Sequence, residues 1–323
     1  MEIPFSRPCD YKNDLDSLMS LWLDQRVTTG FRVYPTTWRL RLLLTSRVWD
    51  PARDTRIWEA GSGQMLGFAM LWRRQPTSPY IVLDCFTRPG VATEEYLSES
   101  MAWCDHRAHE MAKEQNAPLT VHVNGLSHHE FSKDILKRYG YAVQAPNADE
   151  YNVYYARSLQ TEIPPAMPLQ GIVIRKLQGS GEMEAYQDLF DFSIINPHHL
   201  QELLESKEYC HWVMEDPRGG FVAYCECSIC SMDWERSGER IGWIDYIETK
   251  PDYQNKGFGQ AILLAGLHQL QELGADTAML VTINTNTPAI NLYKKTGFIE
   301  VENLEKPGYI KQIPTPGSEP VGK

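Results

Sequence analysis

The chain has 323 residues, of which 42% are hydrophobic, and its formal net charge is −11. This length exceeds one ordinary compact domain, so we expect two domains with separate cores. The negative charge argues against a nucleic-acid partner held through its phosphates. No run of eighteen apolar residues occurs, and acids are scattered through the first thirty residues, so the sequence predicts neither export nor membrane insertion. Seven cysteines, an odd number, fit a reducing cytoplasm.

In chain order, the first half alternates predicted strands and helices. Residues 55–74 read as two strands joined by a glycine turn, and residues 80–89 as a third strand. A long helix over 93–115, a strand over 119–123 and a helix ending at "KRYGY" follow. The pattern predicts an α/β domain with a mixed sheet.

Residues 160–170, "QTEIPPAMPLQ", contain three prolines and are predicted to be an interdomain linker. The predicted domains are therefore 1–159 and 171–323. The second domain begins with a strand over 171–177, followed by a helical region over 184–213. Its later elements are listed in order: strands at 221–230 and 243–249, a helix, a strand at 277–283 and a helix ending at "KKTGF".

The order of elements is the same in the two halves, which indicates a tandem duplication. Superposing "KRYGY" on "KKTGF" pairs Gly140 with Gly297, and it places Leu136 where Tyr293 stands. The loop "TRPGVATEEYL" of the first half replaces "TKPDYQNKGFGQAIL" of the second. We therefore expect the first copy to be degenerate and the second to carry any chemistry.

The segment from Gln254 to Gln260 joins a predicted strand to an amphipathic helix. Backbone N–H groups at a helix N-terminus lack intrahelical partners, so they suit a pyrophosphate. Gly257 and Gly259 allow close approach to the backbone, and Lys256 adds positive charge. The sequence therefore predicts a diphosphate-binding loop. The alternative is that the two glycines only permit a tight turn and close helix packing.

The combination of "KPDYQNKGFG" with "NTPAINLYKKTGF" resembles the GNAT superfamily of acetyl-CoA-dependent N-acyltransferases, over most of residues 170–313. The first half resembles the same fold in a degenerate form, and the tandem layout is similar to mycothiol synthase and its relatives. The resemblance implies a tandem α/β (α+β mixed sheet) GNAT fold that uses acetyl-CoA as cosubstrate.

The resemblance also implies roles for individual residues. The loop amides would hold the pyrophosphate, the end of the preceding strand would bind the pantetheine arm and the thioester carbonyl, and an asparagine would meet the cofactor near the last helix. Thr249 stands where the family usually has valine. The implied cofactor-binding residues are Ile247, Glu248, Thr249, Gln254, Asn255, Lys256, Gly257, Phe258, Gly259, Gln260, Asn286 and Tyr293.

Acyl transfer to an amine needs a base for the amine and an acid for the leaving thiolate. Tyr293 matches the tyrosine that protonates the thiolate in this superfamily, although it could instead be a core aromatic residue. Asp245 lies where many members carry the glutamate that acts as base, and Glu248 is the second candidate. Asp245 could also be a strand carboxylate that faces solvent.

The acceptor is expected to enter over the helical region 184–213, where His198, His199 and His211 are candidate bases or carboxylate ligands. The acidic composition favours an amine acceptor. A zinc site built from Cys225, Cys227 and their neighbours is the less favoured interpretation, because structural zinc usually needs a second ligand pair. We expect buried thiols in a strand and no metal.

These observations predict a cytoplasmic N-acetyltransferase that moves an acetyl group from acetyl-CoA to a primary amine of a small molecule or peptide. The second copy would carry out the reaction. The alternative is a regulatory or scaffold protein that binds an acyl-CoA and transfers nothing.

Overall fold

The computed structural model describes residues 5–32, 36–45, 50–73, 77–91, 94–123, 130–143, 152–166, 169–182, 185–186, 203–301 and 308–315. The chain divides into two compact units. Unit 1 comprises 1–30, 39–148 and 306–323, and unit 2 comprises 31–38 and 149–305. Within the described residues, no helix is long and apolar enough to cross a membrane.

The sheet of unit 1 has seven strands in the order β1-β2-β3-β4-β5-β14-β6. Only β4 and β5 pair in parallel; the other neighbours are antiparallel. The strands are β1 (Phe5–Pro8), β2 (Thr55–Glu59), β3 (Met65–Trp72), β4 (Tyr80–Thr87), β5 (Leu119–Val123), β6 (Ala142–Val143) and β14 (Tyr309–Ile313). The first five helices of the chain are α1 (Tyr11–Thr29), α2 (Thr37–Thr45), α3 (Pro51–Asp54), α4 (Glu94–Gln115) and α5 (Glu130–Arg138).

The sheet of unit 2 repeats this plan, with the order β13-β7-β12-β11-β10-β9-β8 and a single parallel pair, β11 with β12. Its strands are β7 (Asn152–Ser158), β8 (Val173–Lys176), β9 (Tyr209–Glu215), β10 (Phe221–Ile229), β11 (Ile241–Thr249), β12 (Thr277–Ile283) and β13 (Ile299–Glu300). Its helices are α6 (Ser231–Ser237), α7 (Phe258–Glu272) and α8 (Thr287–Lys295).

The core of unit 2 lies between its sheet and α7. The predicted apolar stripe of this helix, Leu263, Leu267 and Leu270, is fully buried. Gly266 lies so close to the sheet that a Cβ there would be 2.7 Å from Cys225 Sγ. Burial of this stripe, at about 25 cal/mol per Å² of apolar surface, fixes α7 against β10 and β11.

The predicted duplication is visible in the turn that ends each copy. Gly140 and Gly297 follow α5 and α8 with φ of 80° and 88°, a conformation that favours glycine. The aromatic residues after them, Tyr141 and Phe298, are both 2% exposed. The same helix end, turn and aromatic anchor are therefore used twice.

The units differ from the predicted division at 160–170 because each sheet takes a strand from the other side of the predicted linker. Strand β7 precedes the predicted linker but pairs with β12, and β14 comes from the C-terminal end but pairs with β5. The two strands occupy equivalent places in the two sheets. Proline content indicated where the chain is irregular, but it carries no information about which sheet a strand joins.

The predicted helical region 184–213 is wrong at its end, where Tyr209–Glu215 forms β9. Apolar side chains on both faces of this strand hide the two-residue alternation that marks a half-buried strand. His198 and His199, the other two candidate bases or carboxylate ligands in this region, lie outside the described residues.

Candidate functional site

The sheet of unit 2 opens between its two parallel strands. Pairing of β11 with β12 extends only over Ile241–Trp243 and Thr277–Met279. Beyond this point β11 stays with β10 as far as Thr249, and β12 stays with β7 as far as Ile283. Within the described residues, the second half of β11 therefore has backbone groups on its β12 side that no strand occupies.

A β-bulge lies where the strands part. Glu226 of β10 is opposite Tyr246 and Cys227 is opposite Ile244, so Asp245 is an extra residue in β11. A bulge bends its strand and increases the local twist. It therefore helps to turn the end of β11 away from β12.

Two of the three predicted strand residues present their backbone to this opening. The N–H of Lys250 donates to β10, and alternate residues of a strand point their backbone groups to opposite sides. The backbone of Glu248 therefore also faces β10, and that of Ile247 and Thr249 faces the opening. Consistent with this, the Thr249 carbonyl accepts a hydrogen bond of 3.0 Å from Gln254 Nε2 in the following loop.

The predicted diphosphate-binding loop follows directly. A short 3₁₀ turn at Pro251–Tyr253 leads through exposed residues 254–257 to the start of α7. The Ala261 N–H makes the first intrahelical bond, to the Gly257 carbonyl, so the N–H groups of 258–260 precede the helical pattern. Lys256 curls back so that its Nζ donates to the Asp252 carbonyl at 2.7 Å. The loop thus combines helix-terminal amides with a cation.

The two positions in this loop suit glycine for different structural reasons. Gly257 has φ of 90°, and among the described residues Leu169, at 4.0 Å, is the neighbour of an added Cβ. A Cβ on Gly259 would lie 3.3 Å from Leu292 Cδ2 and 3.4 Å from Thr249 Oγ1. Gly257 thus has open space beside it, whereas Gly259 permits close packing of α7 against the end of β11. This geometry fits a pyrophosphate group near Gly257.

Tyr293 on α8 is buried beside this region, with 5% of its surface exposed. Its ring centroid lies 6.1 Å from that of Tyr155 and 6.0 Å from that of Phe298. Burial, together with the nearby Cys225 thiol, raises the pKa of Tyr293 above its ordinary value. The phenol is therefore protonated at neutral pH and has a proton to donate.

Asn286 occupies the N-cap position of α8. Its Oδ1 accepts from the Ala289 N–H at 3.4 Å, and its Nδ2 donates to Thr282 Oγ1 at 3.3 Å. These contacts account for an asparagine at this position as a helix cap. Its predicted contact with the cofactor stays a prediction.

The two candidate bases differ in access to solvent. Both carboxylate oxygens of Asp245 are inaccessible, whereas Glu248 is exposed. Glu248 Oε2 accepts a hydrogen bond of 3.3 Å from the hydroxyl of Tyr224, its register partner on β10.

A buried polar cluster next to this carboxylate was missed by the sequence analysis. Glu226 Oε1 accepts from the Tyr186 hydroxyl at 2.7 Å and lies 3.9 Å from His211 Nδ1. Tyr209 Oη lies 3.0 Å from the same nitrogen of His211. Burial lowers the pKa of His211 to about 3, so the imidazole is neutral at physiological pH. The strand register places Glu226 opposite His211, and no local sequence pattern reveals this pairing.

His211, one of the three candidate bases or carboxylate ligands, is 1% exposed in β9. The predicted buried thiols are present: Cys225 and Cys227 are fully buried in β10, and Cys210 lies opposite Cys227. In the described part of the chain, no group of three or more His, Cys, Asp or Glu side chains is arranged to hold a metal ion.

The equivalent region of unit 1 lacks the features of this loop. Strands β4 and β5 form the parallel pair of this unit, over Tyr80–Leu83 and Thr120–Val123. However, Glu94 and Glu95 lie in the first turn of α4, and Leu136 is buried in the core where Tyr293 stands in unit 2. Carboxylates at this helix start would repel a diphosphate.

Comparison with known proteins agrees with this geometry. Residues 174–298 match the model of the "Acetyltransferase (GNAT) family". This match spans β8 to α8, and so includes the open strand end, the glycine loop and Tyr293. Residues 174–298 are therefore similar in sequence to a GNAT acetyltransferase domain.

Solved structures show that the fold extends over the whole chain. A "Tandem GNAT protein from the clavulanic acid biosynthesis pathway" has a TM-score of 0.63 at 13% identity, covering 96% of this chain and 98% of that one. A "GCN5-related N-Acetyltransferase from Sphaerobacter thermophilus" has a TM-score of 0.60 at 15% identity, covering 97% of each chain. The predicted tandem GNAT fold is confirmed.

Among curated proteins, a "Mycothiol acetyltransferase" of Pseudarthrobacter chlorophenolicus is 28% identical over 181 residues, or 53% of this chain and 54% of that protein. One from Thermobifida fusca is 32% identical over 108 residues, covering 30% and 33%. The chain thus spans about half or less of the length of these relatives. The resemblance to the mycothiol synthase group is confirmed at the level of sequence similarity.

Proposed function

We propose that the protein is an N-acetyltransferase that moves an acetyl group from acetyl-CoA to a primary amine of a small molecule or peptide. The observation that carries this proposal is the meeting of two features at the end of β11. The strand parts from β12 there, and the glycine loop presents the N-terminus of α7 directly after it.

The cosubstrate would be held along these two features. The amides at residues 257–260 and the Lys256 ammonium suit the pyrophosphate, because helix-terminal N–H groups and a cation both stabilise negative charge. The outward-facing backbone of Ile247 and Thr249 suits the amide-containing pantetheine arm, which can pair with a strand edge. Loop residues Gln254 and Asn255 complete the predicted site, with Phe258 buried beneath it and Gln260 at the first helical turn.

The reaction would be a direct transfer. A carboxylate takes a proton from the substrate ammonium, and the neutral amine nitrogen then forms a bond to the thioester carbonyl carbon. When the tetrahedral intermediate collapses, the C–S bond breaks and its electron pair stays on sulfur. The Tyr293 hydroxyl donates its proton to this thiolate, the resulting phenolate takes up the surplus proton of the amine, and the carboxylate releases its proton to solvent.

The acidic chain and the free thiols support two finer parts of the proposal. A net charge of −11 favours a cationic acceptor, such as an ammonium, over an anionic one. None of the seven cysteines forms a disulfide, and all are buried, which suits a reducing compartment such as the cytoplasm.

The test is a screen of primary amines with purified protein and acetyl-CoA. Thiol release that depends on the amine, together with an amine product heavier by one acetyl group, is the expected result. Tyr293→Phe serves as the control variant, because it retains the packing of the ring and removes the proton. Binding of acetyl-CoA without turnover for any amine would instead favour an acyl-CoA-binding scaffold, whereas no binding would overturn the proposal.

A further inference from the structure

Glu248 lies next to a rigid, buried group. Residue Cys225 of β10 faces α7, so its neighbours Tyr224 and Glu226 project from the opposite face of the sheet. The register pairs Tyr224 with Glu248, which brings the phenol and the carboxylate together on that face. This face is therefore distinct from the one that packs on the helix of the glycine loop.

The ring of Tyr224 has little freedom to move. It is 1% exposed and stacks on the His211 ring with a centroid distance of 5.7 Å and an interplanar angle of 28°. The Tyr186 ring meets its edge at 5.7 Å and 74°, and Tyr186 is itself tied to Glu226 by a hydrogen bond of 2.7 Å. Close packing of this kind fixes both the rotamer and the position of the hydroxyl.

The Tyr224 hydroxyl remains a donor. Burial, with the added charges of Glu226 and Glu248, raises the pKa of the phenol well above its ordinary value. A fixed, protonated phenol at 3.3 Å from Glu248 Oε2 therefore restrains the rotamer of this carboxylate.

This arrangement shows how Asp245 and Glu248 differ in their ability to act as the base. An incoming ammonium must reach the oxygen that takes its proton, and the oxygens of Asp245 are inaccessible to solvent. Glu248 is exposed, lies on the part of β11 that has left β12, and is held by a rigid donor. The hydrogen bond from the buried Tyr224 ring restrains the orientation of this exposed carboxylate.

We propose that Tyr224 is a positioning residue, which holds the Glu248 carboxylate in the orientation that takes the proton from the acceptor ammonium. The inference rests on the proposed acetyl transfer and assigns the base to Glu248 instead of Asp245. Tyr224 itself touches no reacting atom.

The test compares Tyr224→Phe with Tyr209→Phe. Both substitutions remove one hydroxyl from the same buried cluster, and the hydroxyl of Tyr209 is directed at His211. We expect Tyr224→Phe to lower kcat about tenfold, with the KM for acetyl-CoA unchanged, because positioned proton transfer contributes about 10²–10⁴-fold. Tyr209→Phe should retain the turnover of the wild type.

A double-mutant cycle shows whether Tyr224 acts through Glu248. In a Glu248→Gln background, Tyr224→Phe should cause no further fall in kcat, because the carboxylate that it orients is absent. Additive losses in the double variant, or an equal loss in Tyr209→Phe, would overturn the positioning role. Full turnover in Glu248→Gln would overturn the assignment of the base.

A spectroscopic measurement keeps this inference separate from the proposed function. The ¹³C resonance of the Glu248 carboxyl carbon at neutral pH should move in Tyr224→Phe and stay in place in Tyr209→Phe. An unmoved resonance in an active enzyme would overturn the inference alone. Absence of turnover with every amine would overturn the proposed function, even with the hydrogen bond intact.

Discussion

Gly257→Val tests the diphosphate-binding loop most directly. Gly257 is exposed, has φ of 90°, and has Leu169 as its nearest neighbour, 4.0 Å from an added Cβ. A larger side chain therefore meets little of the described protein and projects into the space that the pyrophosphate would occupy. Its effect on binding should come from obstruction of the ligand, provided that the backbone cost is measured separately.

That backbone cost can be matched at a second position. Gly274 follows α7 at its other end, also with φ of 90°, and an added Cβ there meets nothing within 4 Å. A non-glycine residue in this conformation costs about 1–2 kcal/mol, and a β-branched residue costs more. Gly257→Val and Gly274→Val should therefore lose similar amounts of unfolding free energy, measured by urea denaturation.

The two variants should differ in binding. Calorimetric titration with acetyl-CoA should show at least about tenfold weaker affinity for Gly257→Val, or about 1.4 kcal/mol, and unchanged affinity for Gly274→Val. A folded Gly257→Val variant that binds acetyl-CoA as tightly as the wild type would refute the diphosphate assignment. An equal loss of acetyl-CoA affinity in both variants, relative to the wild type, would mean that binding is weakened by strain in α7 and not by obstruction of the ligand.

Three further predictions concern the acid, the stoichiometry and unit 1. Tyr293→Phe should lower turnover by about 10²-fold or more with little change in acetyl-CoA affinity, and wild-type turnover would return Tyr293 to a packing role. Titration should give one acetyl-CoA per chain, since Glu94 and Glu95 occupy the helix start in unit 1; two per chain would contradict this division. Burial raises the pKa of Asp84 from 3.8 to about 7, although Trp72 Nε1 donates to its carboxylate. The native state then holds a proton that the unfolded state has lost, so this contribution to stability falls by up to about 1.4 kcal/mol per unit as pH rises through that window. Asp84→Asn, which can still accept from Trp72, should flatten the dependence of unfolding free energy on pH from 4 to 7, and an unchanged slope would show that Asp84 ionises normally.

Local patterns predicted the second half of the chain well. The apolar stripe of α7 and the glycine turn after α8 each depend on neighbours within a few residues, and both are present at the predicted positions. Strand β9 was misread because both of its faces are buried. Cys210 and His211 project from opposite faces of the strand and differ in chemistry, but both are buried. The alternation therefore does not separate an apolar face from a polar one.

The long-range features could not be read in the same way. The places of β7 and β14 depend on pairing with strands more than 100 residues away. The contact of Tyr224 with Glu248 depends on the register of two strands and on the bulge at Asp245. Such contacts are fixed by tertiary packing. The sequence alone therefore suggested Glu248 as a candidate base but could not reveal which residue donates a hydrogen bond to it.

The two copies show how one fold can retain its framework while losing a site. Each sheet contains one short parallel pairing, β11 with β12 in unit 2 and β4 with β5 in unit 1. What differs is the sequence at the start of the helix that follows β11 in unit 2 and β4 in unit 1. In unit 2, a glycine loop leaves the N–H groups of α7 accessible and adds Lys256. In unit 1, Glu94 and Glu95 supply the negative charge that the dipole of α4 favours, which stabilises the helix without a bound anion. The same acids that neutralise the positive end of the α4 dipole would also repel a diphosphate. The stability of this helix without a ligand and the loss of the binding site in unit 1 therefore have the same physical cause.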